Sequence, residues 1–259
     1  MGPIASCSIE WMFDQIDPAW DIQCPWMLNF ACRIDALSYS YNMSLEIGNL
    51  NSSLVFWLAA LAGGCFYAEF SGYFVHRLLH SEKIPFLSKN HMIHHLRIYG
   101  PKMKQRPSVA YLSAVENRAA VAGVGLEWIL PGLSTGGIAI LGLWIAGASG
   151  LFMAAFLVAG YGWSFLMFGY VHDTMHRKDF AVENSRFIGK WYRSARRKHD
   201  IHHCHLDNNG RMTDNFGICF FLFDRIFGTY RNRQPAFNSK GYDAALKKYS
   251  FVFDAPVQM

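Results

Sequence analysis

Long apolar runs and short polar, basic stretches alternate along this chain. Residues 54 to 75, L-V-F-W-L-A-A-L-A-G-G-C-F-Y-A-E-F-S-G-Y-F-V, are apolar over roughly the 20 residues that carry a helix across a hydrocarbon core. Gly63, Gly64, Ser71 and Gly72 are the small residues that let helices approach closely in lipid. The one charge, Glu69, is a candidate functional group by its depth, or a group that orients a histidine. The helix is expected to run on through His80. Residues 81 to 107 then turn polar and basic, with Lys83, Lys89, Arg97, Lys102, Lys104 and Arg106, and Pro101 and Pro107 break their regularity.

A second long apolar region runs from Val109 to Tyr170. Pro131-Gly132 and Ser134-Thr135-Gly136-Gly137 interrupt it. The pattern predicts two spans, about 110–130 and 138–160, joined at that interruption. Glu116, Asn117 and Arg118 make the first of them imperfect. The helix after Gly160-Tyr161-Gly162 is expected to leave the membrane carrying His172 and His176. Beyond His205 the chain has a turn-rich stretch, then I-C-F-F-L-F, which is too short to span. It reads as a helix on the membrane surface or over the site. Arg225 and Asp224 read as a structural ion pair.

The pattern divides the chain into an acidic segment, 1–52, a membrane-embedded domain, 53–235, and a C-terminal tail, 236–259. The first segment holds one basic residue, Arg33, and six acidic ones, with no spanning run and no signal-peptide pattern. It is expected to be interfacial or poorly ordered. Two crossings between residues 109 and 170 return the chain to the side it left. Of the 24 Lys and Arg residues, all but Arg33 and Arg118 then lie on one side, which the positive-inside rule places in the cytoplasm. Composition agrees: 52% of residues are hydrophobic and 17% charged, against about 25% charged in soluble domains. The expected fold is all-α, a membrane helical bundle with a cytoplasmic histidine-rich helical cap holding a dimetal site. No nucleic-acid partner is expected.

The candidate chemistry lies in the histidines. All eleven fall in two windows, 76–95 and 172–205. His76 and His80 are four apart, as are His172 and His176. His91, His94 and His95 repeat the spacing of His199, His202 and His203. Residues three and four apart share a helix face, so each group is expected to present two or three imidazoles to one point. Neutral imidazole is the commonest metal ligand and suits zinc, copper, iron and nickel. Ten imidazoles exceed one ion and suit two. The six cysteines form no CxxC pair. Cys204 is either a soft ligand or a small residue on the back of its helix.

The boxes H-R-L-L-H, H-M-I-H-H, H-D-T-M-H and H-D-I-H-H, followed by N-F-G and D-R-I-F-G-T-Y, resemble the fatty acid hydroxylase / sterol desaturase superfamily of membrane di-iron enzymes. The likeness covers about residues 54 to 232, and its ending is most like the sterol branch. The H-D-T-M-H-R box also resembles carotene hydroxylases. The resemblance implies an oxidoreductase that hydroxylates or desaturates a lipid with dioxygen and two electrons. It implies two iron ions, with zinc possible as purified, on His76, His80, His91, His94, His95, His172, His176, His199, His202 and His203. His205 lies outside the HxxHH core and is a candidate for the surrounding shell. Asp173, Asp200 and Asn215 are candidates to hydrogen-bond the imidazoles, and a solvated carboxylate is the alternative for each aspartate.

The chemistry fits the residues without the family name, because an unactivated C–H bond is beyond general acid–base catalysis. The expected substrate is an apolar membrane lipid, sterol-like or fatty acyl, reached from the bilayer between the spans, with aromatics such as Phe66, Tyr67, Tyr73, Phe74, Phe165, Phe168 and Tyr170 near the right depth. The chain has no GxGxxG nucleotide motif and no H-P-G-G haem box, so a separate electron donor is implied, of ferredoxin or cytochrome b5 type with a reductase. Arg193, Arg196, Arg197 and Lys198 either dock that donor or bind anionic headgroups. The alternatives are a carotenoid hydroxylase, another chemistry on the same scaffold such as an aldehyde-forming decarbonylase, and a non-redox membrane zinc protein.

Overall fold

The computed structural model describes residues 50–101, 120–121, 124–178 and 180–254. The N-terminal acidic segment and the stretch holding Glu116, Asn117 and Arg118 lie outside the described residues. Three helical segments among those described are long and apolar enough to cross a membrane: Leu54–Leu79, Glu127–Ile145 and Gly150–Met175. The first belongs to α1, Leu50–Leu79. The second is most of α2, Leu126–Ile145. The third joins α3, Gly150–Ser164, a π-helical stretch Phe165–Val171 and α4, His172–Met175, without a break. Large apolar side chains such as Leu54, Leu58, Ile138, Trp144 and Val158 are exposed along them, as lipid-facing residues must be.

Three candidate spans are found among the described residues, but the turn between the second and third does not fall at Pro131–Gly137. That segment is helical, and the chain reverses at Ala146–Ser149. Proline removes one helical donor and a glycine pair weakens a helix, yet both are tolerated in membrane helices, and this segment gains side-chain bonds of its own. Ser134 Oγ and Thr135 Oγ1 donate to the carbonyls of Leu130 (2.9 Å) and Gly132 (3.0 Å), and Tyr67 of α1 donates to Thr135 O (2.6 Å). The true turn has its own local reasons. Gly147 takes φ +78°, which glycine alone adopts freely, and Ser149 caps α3 by accepting from the Phe152 N–H (3.3 Å). The third span packs tightly on α1. A Cβ at Gly64 would lie 2.3 Å from Phe156 O, and one at Gly72 would meet the Phe168 ring at 2.3 Å.

Two helices beyond α1 and the third span complete the site. α5, Pro85–Ile93, continues as a π-helix over His94–Ile98, and α6 is Gly189–Cys204. A two-residue strand pair, Ala120–Val121 with Val124–Gly125, is a minor feature of an otherwise helical fold. The I-C-F-F-L-F run makes no surface helix. Residues 215–221 form a loop, and only α7, Leu222–Ile226, is helical. Asp224 organises the loop, accepting from the N–H groups of Phe216 (2.7 Å) and Gly217 (2.8 Å) and from Thr229 Oγ1 (2.8 Å). It therefore does not pair with Arg225, whose guanidinium stacks on Tyr230 at 3.8 Å. Residues expected as a tail instead form α8, Ser239–Lys248, and a 3₁₀ turn, Ser250–Val252. Ala245, Tyr249 and Val252 pack into one apolar cluster with Met92, Ile93, Leu96 and Tyr99 of the histidine-bearing α5 region.

Candidate metal centre

The ten histidines of the four boxes gather into two buried groups of five. His76, His80, His91, His95 and His202 form one, and His94, His172, His176, His199 and His203 the other. Within each group the ligand nitrogens all lie within 4.8 Å of one another. The groups adjoin, with the rings of His95 and His203 stacked at 3.9 Å.

The partition follows from helix geometry, and it corrects the expectation that each HxxHH triplet serves one point. Residues four apart share a face, while consecutive residues point about 100° apart. His91 and His95 therefore go together and His94 goes to the other group. In α6, His199 and His203 stay together and His202 crosses over. Each group thus holds two i, i+4 pairs and one histidine from an element belonging mainly to the other.

Hydrogen bonds on the outer nitrogens orient the rings. The Nδ1 atoms of His76, His202 and His203 lie 2.6, 2.6 and 3.1 Å from the carbonyls of Phe216, Asp214 and Tyr99. A carbonyl only accepts, so each of these rings carries its proton on Nδ1 and turns the Nε2 lone pair inward. In the first group, inward nitrogens crowd: Nε2 of His80 stands 3.2 Å from that of His202 and 3.0 Å from that of His91. In the second, Nε2 of His199 and His176 are 2.8 Å apart. Nε2 of His76 and of His172 are buried with no hydrogen-bond partner. Buried polar atoms are nearly always satisfied, and a cation at the centre of each group would satisfy all of these at once. Metal–nitrogen bonds of about 2.1 Å set opposed ligands roughly 4.2 Å apart, within the observed spread. The donor set therefore fits two divalent transition metals.

Electrostatics point the same way. Burial, and then repulsion from neighbouring imidazoles, hold His80, His91, His94, His95 and His199 well below the usual histidine pKa, as burial does His202. These rings are neutral at pH 7, the form that binds a metal.

The other predicted residues take different places. Asp173 Oδ1 lies 3.1 Å from Nδ1 of His172, its own neighbour, rather than a ring on another helix. Asp200 is half-buried on α6. Asn215, at φ +54°, hydrogen-bonds backbone and not an imidazole: it donates to Lys198 O and Arg231 O and accepts from Arg231 N, holding the loop to α6. His205 lies outside both groups, with Nδ1 2.5 Å from Asp214 Oδ2. The basic run is partly turned inward. Arg196 binds Glu183 (2.6 Å) and Arg177 O (2.7 Å), and Lys198 is buried against Ser194.

Several residues at the site escape sequence reasoning. The carbonyls of Tyr99, Asp214 and Phe216 have no side-chain signature. The Asp214 carboxylate meets both His205 and Arg231. Trp128 faces His76 and His91 from α2 at 6.2 and 5.9 Å. Tyr249, from the supposed tail, donates to His80 O (2.7 Å). Aspartate and tyrosine in polar stretches give no cue to these roles.

The fatty acid hydroxylase family model matches residues 61–229, a stretch that contains all four histidine boxes. No curated protein and no solved structure matches the chain.

Proposed function

Since the chain belongs to the fatty acid hydroxylase family, we propose that it is a membrane di-iron oxidoreductase that hydroxylates or desaturates a membrane lipid, sterol-like or fatty acyl. The observation that carries this reading is the pair of adjoining, buried five-imidazole groups at the ends of apolar spans. Two iron ions held there would supply the dioxygen chemistry that attacks an unactivated C–H bond. His76, His80, His91, His95 and His202 hold one ion, and His94, His172, His176, His199 and His203 the other. The carbonyls of Phe216, Asp214 and Tyr99 fix three of those rings in the ligating tautomer, as such partners do in metal sites. Trp128 and Phe216, each ring within 6.2 Å of His76, keep water from the first group on two sides.

Each turnover of a hydroxylation takes one dioxygen, two electrons and two protons, and yields one alcohol and one water. The electrons come from a separate carrier of ferredoxin or cytochrome b5 type. The metal site lies on the cytoplasmic side, which the distribution of Lys and Arg favours.

The test is metal content and turnover of detergent-purified full-length protein. Two irons per chain, and label from isotopic dioxygen in a lipid product, are expected. Stoichiometric zinc with no oxidation after iron loading and addition of reductant would favour a non-redox metal protein. Reporter fusions should place the two chain ends on opposite faces of the membrane; ends on the same face would refute three crossings.

A further inference from the structure

Glu69 takes no part in either histidine group, yet it is only 7% exposed in the middle of the first span. Its Oε1 accepts from Trp163 Nε1 at 2.7 Å, and the backbone N–H of Phe220 also reaches the carboxylate. A carboxylate has about four acceptor sites, so this fixes the group and leaves capacity to spare. Beside it is a cavity of about 420 Å³, walled by Ala62, Cys65, Phe66, Trp163 and Phe223, with Arg225 also at its wall. A largely apolar chamber of several hundred Å³ with a few placed polar groups, here Glu69 and Arg225, is the usual form of a small-molecule site.

The position of the chamber connects it to the metal centre. Ala62, Glu69 and His76 are spaced by seven, two turns apart on one face of α1. The chamber therefore lies on the face that leads down to the first histidine group. An aromatic layer closes the lower end. Phe223, which lines the chamber, packs with Tyr73 and Phe216, and the Phe216 ring lies 5.2 to 5.8 Å from those of His202, His80 and His76. Seven helical residues set Glu69 about 10 Å from His76 along the axis.

We propose that this chamber binds the lipid substrate, and that Glu69 accepts a hydrogen bond from a hydroxyl group of that lipid. The proposal rests on the lipid-oxidising function above and names its substrate class: a long-chain lipid bearing a hydroxyl. The hydroxyl is held about 10 Å along α1 from the level of His76, which sets which carbon reaches the first histidine group once the Tyr73–Phe216–Phe223 layer parts. A membrane lipid is the occupant because Ala62, Cys65, Phe66 and Trp163 belong to spans whose outer faces are apolar and exposed, and the rest of the wall is mostly apolar.

The test reads binding without turnover. Full-length protein in phosphatidylcholine vesicles, kept without reductant, is photolabelled with a long-chain primary alcohol carrying a diazirine. Competition by the unlabelled alcohol and by the matching alkane is compared. Labelling of the α1 peptide holding Cys65 is expected, with the alcohol competing up to about tenfold better than the alkane, the size of one net hydrogen bond. Glu69→Leu should erase that preference. Ala62→Trp fills the chamber from an exposed position without touching Glu69 and should abolish labelling, which covers the case of a misfolded Glu69 variant. Equal competition by alkane and alcohol, or labelling unchanged in Ala62→Trp, overturns the proposal. Binding is read independently of iron content and product, so loss of the oxidase function with the alcohol preference intact would sink the function and leave the site.

Discussion

Acidification should strongly destabilise the metal-free protein between pH 6.5 and 5.5. Six site histidines outside the spans, His80, His91, His94, His95, His199 and His202, are held neutral in the fold, well below the ordinary value of 6.5. The sign follows from proton uptake. Unfolded, each ring binds a proton as pH falls through about 6.5, while folded it does not, so stability is full above that value and is lost below it. One pH unit below 6.5, each ring favours the unfolded chain by about 1.4 kcal/mol, and six rings by at most about 8 kcal/mol. A natural fold has only about 5 to 15 kcal/mol to lose. The assay is thermal unfolding of chelated and iron-loaded protein by circular dichroism from pH 7.5 to 5.5. The chelated midpoint should fall by roughly 15 to 30 °C. The loaded form should fall less near neutrality and then release iron, because protons and metal compete for the same nitrogens. A chelated midpoint that stays flat across this range would show that the rings are not held neutral by burial, and would remove the electrostatic argument for the site.

His176→Ala or His203→Ala should abolish lipid oxidation with membrane insertion intact, whereas His205→Ala, outside both groups, should keep most activity; equal losses in product assays would place His205 in the site. Gly210→Ala should cost about 2 kcal/mol or more, because φ there is +73° and a Cβ would lie 2.3 Å from Ala245 N, and an unchanged melting midpoint would contradict the docking of α8. Tyr249→Phe removes the donor to His80 O and should lower stability by about 1 to 3 kcal/mol with weaker iron retention; a midpoint equal to the parent's would mean that bond contributes nothing.

Much of this protein is legible in its sequence because two of its signals are local. A membrane span needs only length and apolarity, since its backbone bonds close within the segment, so three spans can be counted from the chain alone. The turn at Ala146–Ser149 carried local cues, a glycine and a capping serine, but Pro131 and the glycine pair masked them, because lipid surroundings let α2 absorb a proline that water would not. The spacing of the histidines is local too, and it assigns each imidazole to a helix face. Which face meets which is not local. The division of His94 from His95, and of His202 from His203, depends on where α1, α5, α6 and the third span converge. The same holds for the groups that hold the rings. Carbonyls of Tyr99, Asp214 and Phe216 carry no residue signature, and Tyr249 reaches His80 across 169 positions of chain. The I-C-F-F-L-F run shows the limit most plainly. Its composition favours a helix, but the Asp224 carboxylate gathers the N–H groups of Phe216 and Gly217, and the loop this makes is what brings the Phe216 carbonyl to His76. Sequence spacing fixed which nitrogens can act together; only tertiary packing, by satisfying backbone groups far apart in the chain, decided how they divide into two sites.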